Sequence, residues 1–267
     1  MRAAHRRHWF LPAAGALVVV AWTALWLWEQ SPYGRYLDHG DWTKVGIAGA
    51  LCSAVPAGEA VVPAVLYVGG WVLMLTAMML PTTLPLLETY RRLTQRRADR
   101  WQLLGLVVAG YLSVWFGFGI AAHIADLALH EALAGSSWLT FNGWAIGAIV
   151  VALAGAFQFS ALKYRCLDKC RATLSFVMEH WRGRRERTQA FRMGWRHGVF
   201  CVGCCWALML LMFVVGTGNV GWMLLLGAVM AAEKNVPWGH RLRAPLGVAL
   251  VAGAVAIVVD GAGLWSS

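Results

Sequence analysis

Charge is what this sequence has least of: only 13% of its 267 residues are charged, and 13 of them are acidic. A soluble domain carries charge on about a quarter of its residues, enough to keep its surface wet. So little charge excludes an ordinary soluble globular fold. Also missing are a Gly-x-x-x-x-Gly-Lys-Ser/Thr phosphate loop, a Ser-His-Asp arrangement and a paired-carboxylate site, so no catalysis is assigned. No low-complexity linker divides the chain, which reads as one integral membrane domain over residues 1–267.

What is present is apolar. Hydrophobic residues make up 59% of the chain, and they come in long uncharged blocks. Blocks of about 20 residues at a rise of about 1.5 Å each match the hydrocarbon core of a bilayer. Spans are expected at 9–28, 61–80, 103–125, 143–162, 199–216, 220–233 and 244–260. The fold class is therefore all-α, a polytopic transmembrane helical bundle of about seven spans, the sixth of them short. Residues 45–58 are apolar but short and rich in Gly and Pro, as in an interfacial or re-entrant piece. Residues 1–28 begin like a signal peptide. Their apolar part is long, carries Trp22, Trp26 and Trp28, and offers no small-residue cleavage site, so an uncleaved first helix is expected. The 16 tryptophans suit the headgroup boundary, which indole favours.

A net charge of +10 raises the question of nucleic acid, and the placement of the charge answers it. Of the 23 Lys and Arg residues, all but Arg35 and Lys44 lie at the N-terminus (Arg2, Arg6, Arg7) or within residues 91–100, 163–196 and 234–243. With a cytoplasmic N-terminus and seven spans, those four segments share one side, as the positive-inside rule requires. The basic residues orient a multi-pass inner-membrane protein and face the lipid bilayer, and no nucleic-acid partner is needed. The largest soluble element is the cytoplasmic loop 163–197. Its first part, Lys163–Arg171, is expected to continue the fourth helix, and Gly183-Arg184-Arg185 reads as a solvated turn. Thr217-Gly218-Asn219 reads as a tight outer turn. Residues 70–79 align without gaps on residues 221–230, as in a parallel repeat or by shared apolar composition.

Six cysteines occur, and five of them (Cys166, Cys170, Cys201, Cys204 and Cys205) fall near the cytoplasmic boundary. A structural disulfide is disfavoured there, which leaves metal binding, redox chemistry or plain packing. Cys166 and Cys170 share a helical face at i,i+4. On the fifth helix, at about 100° per residue, His197, Cys201, Cys204, Cys205 and Met212 fall within an arc of roughly 100°, with Met209 beside it. Helix two adds Met74, Met78 and Met79 just before Pro81. Thiolate and thioether sulfur select Cu(I), whereas zinc prefers thiolate with imidazole. Glu233, at the edge of a span, is either paired, functional or solvated at a helix end, and Lys234 does not share its face. A second group on the outer side, His123, Asp126 and His130 at i, i+3, i+7, reads as a metal site or a solvated polar stripe. Cys52 stands alone on that side.

Several stretches resemble one bacterial family of integral membrane proteins. They are Met78-Met79-Leu80-Pro81-Thr82, Tyr111-Leu112-Ser113-Val114-Trp115, Gln158-Phe159-Ser160-Ala161-Leu162-Lys163, Cys166-Leu167-Asp168-Lys169-Cys170-Arg171, His197-Gly198, and Cys201-Val202-Gly203-Cys204-Cys205-Trp206-Ala207-Leu208-Met209. The family is domain-of-unknown-function family 2182, described as predicted metal-binding membrane proteins and sometimes labelled copper chaperones. The resemblance covers about residues 65 to 239 and implies a metal-handling role in the bacterial inner membrane. The family pattern has a methionine before the asparagine of the outer turn, where this chain has Gly218 before Asn219.

The expected function is soft-metal handling, with Cu(I) first and zinc as the alternative ion. Cys166, Cys170, Cys201, Cys204 and Cys205 are the expected primary ligands and Met78, Met79, Met209 and Met212 weaker ones. His197 is a ligand or orients one, and Glu233 balances charge. The expected partners are the metal ion and a protein that donates or accepts it. The alternatives are a membrane thiol-disulfide oxidoreductase, which needs an accessible low-pKa thiol, and a scaffold or assembly subunit with a structural metal.

Overall fold

Within a bilayer, backbone donors and acceptors must be satisfied inside the segment that carries them, so long uncharged runs fold as helices. A computed structural model describes residues 10–31, 61–134, 142–181, 185–215 and 219–263. Its elements are α1 (Phe10–Glu29), α2 (Val61–Leu93), α3 (Arg100–Ala134), α4 (Gly143–Phe157), α5 (Ala161–Arg171), α6 (Thr173–His180), α7 (Glu186–Val215), α8 (Val220–Asn235), a 3-10 turn (Gly239–Leu242) and α9 (Arg243–Gly261). The all-helical expectation holds throughout the described residues.

Among the described residues, five helical stretches are long and apolar enough to cross a membrane: Phe10–Glu29, Val68–Leu93, Arg100–Ala125, Glu186–Met212 and Gly239–Gly261. A sixth crossing is reached when α4 and α5 count as one broken span. Seven spans were expected. The difference lies in α8, whose 16 residues reach about 24 Å against a core of about 30 Å.

Three element boundaries differ from expectation for local reasons. The fourth helix does not run on through Lys163–Arg171, because the chain bends by 62° between α4 and α5. Ser160 makes the break: it is extended, and its side chain accepts a hydrogen bond from Lys163 N at 3.1 Å, starting a new helix. The loop 163–197 is largely helical, built from α5, α6 and the first turns of α7. The second helix passes through Pro81 and Pro85 to Leu93. A proline frees the carbonyl four residues earlier. The carbonyl of Pro81, freed by Pro85, accepts from Asn235 Nδ2 at 3.0 Å, which ties α2 to α8. Thr82 donates to Met79 O at 2.8 Å within the same bend.

α7 is the central helix, packed on α3, α5, α4 and α8, while α9 lies on α4 and α1 on α2. The apolar stretches of α1 and α9 are only 11% buried, so most of their surface faces outward. α3 and α7 approach backbone to backbone. A Cβ built at Gly110 or Gly194 would collide with the Phe191 or Val107 carbonyl oxygen, respectively. Arg97 bonds both Asp99 (2.9 Å) and Glu186 (2.6 Å), joining the α2–α3 turn to the start of α7.

Candidate metal centre

The i, i+3, i+4 spacing of Cys201, Cys204 and Cys205 places all three thiols on one inward face of α7, each 2% exposed or less. α5 lays Cys166 and Cys170 against that face, and both are buried. Gly203 allows the approach, since a Cβ there would lie 2.7 Å from Cys166 Sγ. The Sγ atoms of Cys170 and Cys204 are 4.0 Å apart, and those of Cys204 and Cys205 are 3.9 Å apart. Two thiolates sharing one ion at about 2.3 Å sit at a similar separation. The thiols of Cys204 and Cys205 also donate to Cys201 O, at 3.1 and 2.7 Å. All five are free thiols.

Charge reaches the cluster from α8. Lys234 is 7% exposed, and its Nζ donates to Cys201 Sγ at 2.9 Å, with Cys205 Sγ at 3.6 Å and Thr82 Oγ1 at 3.4 Å. The Tyr111 hydroxyl, from α3, lies 3.1 Å from the Cys201 sulfur on another side. Glu233 forms a fully buried ion pair with Lys163 Nζ, at 2.8 and 2.9 Å. Arg171 donates to the Glu233 carbonyl and, at 3.0 Å, to that of Pro237, fastening the end of α5 to the end of α8. The solvated helix end considered for Glu233 and Lys234 is therefore not what forms: both side chains are buried and partnered.

The expected methionines are gathered in. Met78, Met79, Met209 and Met212 are buried in the same apolar cluster as the five thiols. His197 is buried one turn before Cys201, its ring centroid 6.0 Å from that of Tyr111 and 5.6 Å from that of Phe176. Its Nδ1 has no hydrogen-bond partner among the described residues. Among the described residues, no three His, Cys, Asp or Glu side chains are gathered so as to hold a metal ion as they stand; the sulfurs meet in pairs. The donor set nonetheless suits a soft monovalent ion, since Cu(I) takes thiolate and thioether sulfur in low coordination number.

A family model described as copper chaperone, PpoB2, matches residues 68–257. The chain belongs to this family. PpoB2 corresponds to domain-of-unknown-function family 2182, so the resemblance read from the motifs is the family found. Membership supports a copper-handling role. No curated protein and no solved structure matches the chain.

Lys163, Lys234, Tyr111 and Arg171 were not among the expected site residues. Lys163 carried a readable signal, since it precedes Cys166 and Cys170 at i+3 and i+7 and so shares their face. For Lys234 the proximity to Cys201 arises only through packing of α8 on its neighbours. Cys52, residues 45–58, Thr217 and Gly218, and the side chains of Asp126 and His130 lie outside the described residues. Asn219 caps α8, accepting from Trp222 N at 2.8 Å, and His123 lies half-buried on α3.

Proposed function

We propose that this protein binds Cu(I) as cargo within the membrane, near the cytoplasmic leaflet of a bacterial inner membrane, and exchanges it with a donor or acceptor protein. The observation that carries this reading is the gathering of five buried thiols in one cluster, two of which, Cys201 and Cys205, face the buried ammonium of Lys234. Lys163 and Glu233 cancel one another, which leaves Lys234 as the uncompensated charge of the cluster. Cu(I) held by two thiolates is a complex of one net negative charge, and Lys234 supplies the matching positive charge where water does not. Cys201, Cys204, Cys205, Cys170 and Cys166 are the primary ligands, the four methionines are relay sites, and the unpartnered His197 Nδ1 is a further donor.

Disulfide exchange is less well supported. It needs an attacking thiol that a partner can reach, and the five thiols are buried. Zinc asks for a closed set of four ligands, and no such convergence is present among the described residues.

The test is an anaerobic competition titration with Cu(I) on detergent-purified protein. Wild type is expected to bind tightly and stoichiometrically, and a Cys201, Cys204 and Cys205 to Ser variant to lose that binding. Lys234→Met should weaken it by roughly 10–100-fold, the range for supporting groups around a metal, and Lys234→Arg by less. Equal, weak binding by wild type and the triple variant would sink the copper reading. Wild-type affinity in Lys234→Met would remove the counter-charge alone.

A further inference from the structure

The bend between α4 and α5 opens a cleft of about 310 Å3 away from the thiols, lined in part by Gln158, Phe159, Ser160, Tyr164 and Arg243. Gln158 is 1% exposed, and neither its Oε1 nor its Nε2 has a hydrogen-bond partner among the described residues. A buried amide with both ends unsatisfied is costly and uncommon. The same cleft receives the first turn of α5, whose leading amides have no carbonyl within the helix to bond. Ser160 caps that turn through its oxygen lone pairs, since its side chain accepts from Lys163 N. Its hydroxyl proton remains a donor. Across the cleft, the Arg243 guanidinium lies 4.5 Å over the Tyr164 ring and donates from Nε to His240 O at 3.1 Å. Among the described residues, no acidic side chain lines the cleft.

The residues lining the cleft carry donors of several kinds, a guanidinium, an amide NH2, a hydroxyl and a helix N-terminus, beside the free acceptor of the Gln158 amide. We propose that this cleft binds the phosphate group of an anionic phospholipid. The rim argues for lipid as the source of the phosphate. Phe159 and Tyr164 are 57% and 50% exposed beside it, and α9, which forms one wall, is largely outward-facing. The headgroup would sit on Arg243 and Gln158 while an acyl chain runs along the exposed aromatic edge. The bend thus does two things: it turns the chain towards the thiol cluster on one side and makes a headgroup seat on the other.

The experiment is native mass spectrometry of the full-length protein titrated with dioleoyl-phosphatidylglycerol or dioleoyl-phosphatidylcholine, with inorganic phosphate as a competing probe. Wild type is expected to retain one phosphatidylglycerol in preference to phosphatidylcholine. Arg243→Gln should lower that retention roughly fivefold to tenfold, and Arg243→Lys should keep most of it. Gln158→Leu should also lower retention while raising the unfolding temperature of lipid-free protein, because it deletes an unsatisfied buried amide; that rise separates lost binding from lost fold. Equal retention of both lipids, or unchanged retention in Arg243→Gln and Gln158→Leu, would overturn the proposal. Binding of inorganic phosphate without lipid preference would overturn the lipid assignment.

Discussion

Lys163 and Glu233 are removed from water almost completely, at 0% and 2% side-chain exposure, so each depends on the other. Deleting one partner of a buried pair leaves a lone charge and costs about 3–5 kcal/mol, whereas replacing both with apolar groups of similar size is often neutral. Lys163→Met should therefore destabilise the protein by about that amount, and Lys163→Met with Glu233→Met should recover most of it. Thermal unfolding in detergent reads both. An unchanged single variant would show the pair to be energetically idle. At this scale the sequence was legible in part. The thiol faces followed from spacing alone, because i, i+3 and i+4 fix a helical face whatever surrounds it. Glu233 and Lys234 also point to different faces, as adjacent residues on a helix must. Which partner each would meet was not legible: Lys163 and Cys201 come from distant segments, and no local pattern encodes that meeting.

At the scale of helices, the tightest constraint lies between α3 and α7. Gly194 sits against the Val107 backbone and Gly110 against that of Phe191, so the two helices close on each other without side chains between them. Gly194→Val should prise them apart, lower the unfolding temperature sharply and loosen Cys201, which is carried on the same helix. Gly253→Ala on α9 is the control, since an added methyl there meets nothing within 4 Å, and it should be neutral or stabilising by up to about 1 kcal/mol. Equal unfolding temperatures for both variants would refute the close-packing argument. Helix existence was legible in the long apolar runs, because uncharged backbone in lipid must bond within itself, but not in α6 and the first turns of α7, which lie inside the expected loop 163–197. Helix ends were less so. The second span was expected to end at residue 80, yet the helix runs on through Pro81 and Pro85, and Asn235, from α8, satisfies the carbonyl that Pro85 releases. Ser160 starts a new helix inside an apolar run whose composition gave no warning of a 62° bend.

Over the whole molecule, the Arg97–Glu186 contact holds the α2–α3 turn and the beginning of α7 together, so both lie on the same side of any membrane the protein crosses. On the proposed reading, the run of basic residues at both places would make that side cytoplasmic by the positive-inside rule. Fluorescent-protein and alkaline-phosphatase reporters fused after residues 97 and 185 should both report a cytoplasmic location. Opposite readings at the two positions would refute the arrangement. Helices long and apolar enough to cross a membrane were legible from composition. The number of crossings was not, because α8 is short and α4–α5 is bent, and both facts belong to packing. The burial of the five thiols also sets a clock. An ion cannot reach sulfur under packed helices until the helices part, so uptake has an opening step that precedes capture. As donor concentration rises, the loading rate should level off at the frequency of that opening. On the proposed copper reading, the same closure would hold a captured ion back from diffusing away, and release would be governed by the protein's own motion.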